Sequence, residues 1–154
     1  MLAAPQKDLN KMVLHTESFA KPLPSLFEVD RVILEQEIKP DAVAIAFDLK
    51  AKTFRHEMYS EYKGNRKGMA EELASQMPVL KDILTNLGYV LVSKEGYEAD
   101  DILGTLSTLG NEDIQVYILT GDRDSYQLVN EHVNVLYLST KETLTIDENA
   151  VMEK

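Results

Sequence analysis

The sequence predicts an α/β domain built on a parallel sheet, on three observations. Apolar runs of strand length recur: AVAIAF at 42–47, YVLVS at 89–93, VYIL at 116–119 and VNVLYL at 133–138. They are continuous rather than alternating, which is the pattern of strands buried on both faces. Segments of helical spacing lie between them, so strands and helices alternate and right-handed βαβ units follow. A chain of 154 residues, 44% of them hydrophobic, suits one domain with a sizeable core.

Residues 1–24 show no clear period. Pro5, Pro22 and Pro24 punctuate them, and they are expected to form an irregular N-terminal segment preceding a core over 25–154. Ser25 can N-cap a helix over 26–38, with Leu26, Phe27, Val29, Val32 and Ile33 on one broad face. Lys39-Pro40 stops that helix, and the first visible strand, 42–47, follows. Residues 51–69 are polar and basic, with several aromatics. Leu73, Met77, Leu80, Leu84 and Leu87 then keep helical spacing, and Gly88 can serve as the C′ residue. Pro78 inside that pattern predicts a kink or two abutting helices. The strand at 89–93 leads into a helix over 99–109, and the strand at 116–119 into a short helix near 124–130. The strand at 133–138, a short one at 144–146 and a helix capped by Asp147 complete the order.

Composition excludes several chemistries. The chain has no cysteine, so disulfides, thiolate zinc sites and cysteine nucleophiles are out, which suits a reducing cytoplasm. It contains no apolar span of membrane length and no secretory h-region, so no membrane partner is expected. His15, His56 and His132 lack metal-ligand spacing, Ser125 has no histidine nearby, and there is no phosphate-binding P-loop. The net charge of −10 is unevenly spread: residues 50–67 carry six basic residues against two acidic ones. A solvated surface helix accounts for that segment as well as a nucleic-acid contact does.

The acids fall in a pattern. In open α/β sheets the functional crevice lies beyond the carboxyl ends of the strands. Asp48 follows AVAIAF, Asp122 and Asp124 follow VYIL, and Glu98, Asp100 and Asp101 in GYEADD follow YVLVS after a short connection. Helix starts accept one or two acids, where free N–H groups and the dipole offset their charge. On a helix Glu98 and Asp101 share a face, and Asp100 points elsewhere. Six carboxylates on one rim are tenable around divalent cations, and all-oxygen ligation suits Mg²⁺ or Mn²⁺. Two such ions roughly 3.5–4 Å apart can activate water and stabilise a leaving oxygen in phosphodiester cleavage.

Three stretches, FDLKAKTFRHEMYSEYKGNRKGM, GYEADDILGTL and YILTGDRDSYQLV, carry a resemblance. In order and spacing they resemble the 5′-nuclease domain of bacterial DNA polymerase I, in the flap endonuclease group, from about Lys39 onward. The resemblance implies a three-layer, PIN-like (Rossmann-like) fold with a helical arch. It implies two divalent ions, Mg²⁺ or Mn²⁺, on Asp48, Glu98, Asp100, Asp101, Asp122 and Asp124. It implies that residues 54–67 form an arch for a 5′ flap or single-stranded 5′ end of DNA, lined by Arg55, Tyr59, Tyr62, Lys63, Arg66 and Lys67. Tyr62, Lys63 and Arg66 match residues that contact the substrate near the scissile phosphate. Aromatic faces that stack on bases and cations that neutralise phosphates agree with that assignment.

The chain departs from the family's pattern in two places. The family's first strand carries a metal-binding aspartate in a motif like VDGN, whereas the only aspartate in residues 1–24 is Asp8. The sheet is therefore expected to lack a central strand. The family's helix–three-turn–helix module, which grips duplex DNA, would follow the final MEK. Two functions result: a metal-dependent 5′–3′ exonuclease or flap endonuclease of replication and repair, and an inactive relative that binds metal and single-stranded DNA. A toprim-like metal domain fits the GYEADD spacing and the EYKGNR segment less well.

Overall fold

The structure is a computed structural model and describes residues 10–16, 38–64, 68–139 and 143–153. Six strands form one sheet: β1 (Lys11–Thr16), β2 (Ala42–Ala46), β3 (Val90–Val92), β4 (Gln115–Thr120), β5 (Val133–Leu138) and β6 (Thr143–Ile146). Their order is β3-β2-β1-β4-β5-β6, parallel throughout except that β6 joins β5 antiparallel. The helices are α1 (Phe54–Met58), α2 (Glu71–Asn86), α3 (Ala99–Ser107) and α4 (Glu148–Met152), with a 3-10 turn at Arg123–Leu128. The helix expected over 26–38 lies almost wholly outside the described residues.

The expectation of a missing central strand is corrected, and that of an irregular segment at 1–24 is corrected at residues 11–16; residues 1–9 and 17–24 lie outside the described residues. KMVLHT is a strand, and it is the central one, paired with β2 (Val13 opposite Val43) and β4 (Val13 opposite Tyr117). Met12, Val13 and Leu14 are buried, the last two completely. Only three apolar residues carry this strand, between Lys11 and His15, and that is too short a run to register as a period. Flanking polarity is tolerated at the ends of a strand whose middle is enclosed by two neighbours and by layers above and below.

Alternate residues of the strands build two cores. On one face Met12, Leu14, Ala46, Val116, Ile118, Val133 and Val135 pack with Ala99, Ile102 and Leu103 of α3. On the other face Ile45 and Phe47 pack with Leu80 and Leu84 of α2, and Val13, Leu119 and Leu136 form a separate cluster. Burying a leucine contributes roughly 1.5–3 kcal/mol, so these contacts rather than helix propensity hold α2 and α3 in place. Pro78 lies inside a single 16-residue helix, not between two. Proline removes one backbone bond, while Leu80 and Leu84 beyond it hold the next two turns onto the sheet. Gly88 stands just past the C-cap of α2 with φ +87°, a conformation that a Cβ would strain.

The parallel strands β1, β2, β3 and β4 point the same way, so their carboxyl ends share a rim. From β1 the chain steps outward to β2 and β3 on one side, then crosses back from β3 to β4 on the other side of β1. That is the topological switch point at which crevices form in such sheets.

Candidate active site

Each acid is placed by the element before it. Asp48 lies two residues past β2 and is exposed. Its Oδ1 accepts the N–H of Ala99 at 2.6 Å, which ties the end of β2 to the first turn of α3. Gly96 has φ +84°, so the chain turns sharply into Glu98, the N-cap of α3. Glu98 is 8% exposed, the most enclosed of the candidate acids. Asp122 is the N-cap of the 3-10 turn: its Oδ1 accepts the N–H of Asp124 at 2.9 Å, and its own N–H donates to Oγ1 of the buried Thr120 at 3.0 Å.

Electrostatics show which acids converge. Asp100 is exposed, yet the protein around its carboxyl removes part of its water. That desolvation, followed by the charges of Asp122, Asp48 and Glu98, raises its pKa above the ordinary aspartate value, with Lys63 acting in the opposite sense. Acids from three strand ends thus face one another through Asp100. Among the described residues no three of them stand close enough to enclose an ion directly.

Asp101 is held differently. The hydrogen bond from Arg55 lowers its pKa, and both its oxygens take guanidinium N–H groups at 2.7 Å. Its Oδ2 also accepts the N–H of Glu98 at 2.9 Å. Glu98 and Asp101 share a face, as expected: Nη1 of Arg55 lies 2.7 Å from Oδ2 of Asp101 and 3.8 Å from Oε2 of Glu98. Asp100 meets the other acids, and Asp101 meets Arg55.

The basic segment lies against this rim. Nζ of Lys63 is 2.7 Å from Oε1 of Glu98, and the hydroxyl of Tyr62 donates to Oε2 at 3.2 Å. Lys63 adopts φ +56°, which is rare for a residue with a side chain, in a turn that includes Gly64. Tyr59 is 62% exposed, leaving a ring face open for stacking. Arg66 and Lys67 lie outside the described residues. Two contacts at the start of α1 escaped sequence reasoning: the N–H of Phe54 donates to the carbonyl of Gly96 at 3.0 Å, and the rings of Phe54 and Tyr97 lie 5.7 Å apart. The signal was present in the tyrosine of GYEADD, but nothing local names its partner. Nδ1 of His56 accepts the N–H of Thr53 at 3.1 Å, a capping role.

A parallel sheet covered on both faces, with acids at its carboxyl rim and a basic turn against them, defines a PIN-like α/β domain. The chain belongs to the family described as 5′–3′ exonuclease, N-terminal resolvase-like domain, whose model matches residues 16–154. It is 42% identical over 121 residues to DNA polymerase I of Caldicellulosiruptor bescii, covering 78% of this chain and 14% of that protein. It is 42% identical over 124 residues to the thermostable DNA polymerase I of Thermus filiformis, covering 79% and 15%. The chain thus spans a small fraction of these relatives' length. Among solved structures it resembles T5 5′-exonuclease with bound divalent metal ions (zinc), with a TM-score of 0.64, 22% identity, and coverage of 86% of this chain and 57% of that one. It also resembles a bacteriophage T5 flap endonuclease in a pseudo-enzyme-product complex with DNA and metal ions, with a TM-score of 0.62, 21% identity, and coverage of 86% and 57%. No helix among the described residues is long and apolar enough to cross a membrane.

Proposed function

We propose that this chain is a divalent-metal-dependent 5′–3′ nuclease that cleaves phosphodiester bonds in DNA bearing a 5′ flap or a single-stranded 5′ end. The observation that carries this reading is the rim itself: Asp48, Glu98, Asp100 and Asp122 come from three strand ends, and a tyrosine–lysine pair from the basic segment is bonded to one of them. The donors fit Mg²⁺ or Mn²⁺, because all are hard carboxylate oxygens and their crowding raises the pKa of Asp100. Asp48, Glu98, Asp100, Asp122 and Asp124 would hold one or two such ions. Bound there, the metal supplies Lewis-acid activation of water and charge neutralisation at the phosphate.

The chain's own side chains supply position and charge. Lys63 sits beside Glu98, where an ammonium can meet a phosphate oxygen. Tyr62 and Tyr59 offer ring faces to bases, and Arg66 and Lys67 add cationic charge to the same segment. The test is cleavage of a 5′-labelled flap duplex in Mg²⁺ and Mn²⁺, with Asp122→Asn beside it. Cutting by the intact chain that disappears in the variant is the expected result, together with weaker Mn²⁺ binding by calorimetry. Unchanged Mn²⁺ affinity in Asp122→Asn would remove the metal assignment.

A further inference from the structure

Asp101 sits among the acids in sequence, and its side chain is taken up by the N–H of Glu98 and by Arg55. Arg55 meets it through two N–H···O bonds of 2.7 Å, the fork-to-fork arrangement that suits guanidinium to carboxylate. Arg55 belongs to α1, a helix of five residues that cannot hold itself by its own hydrogen bonds. Two further contacts fix the same helix to the same loop: the bond from Phe54 to the carbonyl of Gly96, and the packing of Phe54 on Tyr97. The Arg55 guanidinium also lies 4.5 Å from the centre of the Phe54 ring. The start of the basic segment is thus bolted to the 96–101 loop, and four residues beyond α1 the chain reaches Tyr62 and Lys63 on Glu98.

We infer that Asp101 is a positioning residue: it fixes Arg55, and with it α1 at the base of the basic segment, and it does not ligate the cation. Arg55 is correspondingly committed to Asp101, with Oε2 of Glu98 3.8 Å away, and not to a phosphate. This rests on the nuclease reading, and it removes one acid and one arginine from the expected metal and DNA sets. Losing either partner lets α1 shift, and Tyr62 and Lys63 lose their register over the rim.

The test uses the full chain with Asp101→Asn, Arg55→Gln, the double variant, Arg55→Lys and Asp100→Asn. Asp101→Asn keeps an oxygen for the Glu98 N–H and so preserves the helix cap. Mn²⁺ affinity is measured by calorimetry, and affinity for a 5′ single-stranded oligonucleotide by fluorescence anisotropy in Ca²⁺. Asp101→Asn should keep Mn²⁺ affinity within about twofold, whereas Asp100→Asn loses roughly tenfold or more. Arg55→Gln, Asp101→Asn and the double variant should each weaken oligonucleotide binding by the same amount, roughly three- to tenfold, because the pair acts as one unit. Arg55→Lys keeps the charge without the fork and should not restore binding. A loss of Mn²⁺ affinity in Asp101→Asn like that in Asp100→Asn would make Asp101 a ligand and overturn the inference. So would losses that multiply in the double variant, or rescue by Arg55→Lys, because Arg55 would then touch the phosphate itself. If Asp101→Asn fails to fold, the two Arg55 variants decide by the same criteria. Hydrogen exchange at the Phe54, His56 and Tyr59 amides separates failure of this inference from failure of the nuclease reading. It should quicken in Arg55→Gln and Asp101→Asn but not in Asp100→Asn, whatever the metal result, and unchanged exchange overturns the anchor.

Discussion

Asp100 and Asp101 are neighbours in sequence with opposite electrostatic fates. Asp100 is raised by lost hydration and by facing acids, so its ionised form costs the folded state energy at neutral pH. That cost is relieved as pH falls through its raised pKa, since protonation then favours the folded form. Asp100→Asn should therefore raise the Tm of the metal-free chain at pH 7. The advantage should vanish below about pH 4, where aspartate is protonated in the unfolded chain too. A thermal scan at both pH values checks it, and a destabilised variant at pH 7 would contradict the assignment. Asp101 has the opposite sign: Arg55 lowers its pKa, so its contribution is present above the ordinary aspartate value and is lost as pH falls below it. Which acid did which was not legible in GYEADD. The difference is set by Arg55, 46 residues away in sequence, and by the phase of a helix whose first turn fixes both side chains.

At the scale of elements β2 to β5 were legible because each is a continuous apolar run, and β6 stands where the short LTI segment predicts. α3 and α4 were legible through their acidic N-caps, and Asp147 accepts the N–H of Ala150 at 2.9 Å. β1 was not, since its identity comes from neighbours that enclose it rather than from its own pattern. α2 shows the converse, a local breaker overruled by packing. Pro78 is exposed, and its ring replaces an N–H that would otherwise bond within the helix. Pro78→Ala should raise stability by about 1–3 kcal/mol without touching the core, read as a higher urea midpoint at unchanged slope. A lower midpoint would mean that α2 is shaped around the proline.

At the scale of the whole molecule, one short strand joins two half-sheets. β1 is the only link between the β3–β2 pair and the β4–β5–β6 trio among the described strands, and Leu14 within it is completely buried. Leu14→Ala should cost roughly 3–5 kcal/mol, a large part of the stability typical of a domain this size, measured by urea denaturation. A cost below about 1 kcal/mol would mean that the centre of the sheet is less closely packed than its burial indicates. The same strand explains the site's location, because the crevice opens where connections diverge on either side of it.

That architecture also sets an order of events in the cell. Val13 pairs with Val43 on one side and Tyr117 on the other, so its second partner is made roughly a hundred residues after it. At translation rates of about 5–20 residues per second, one edge of this apolar strand waits on the order of 5–20 s for β4. During that interval it offers unpaired backbone groups to any other chain. The nascent polypeptide is therefore most exposed to misassembly until β4, in the final third of these residues, has emerged, and a chaperone that shields β1 acts in that interval.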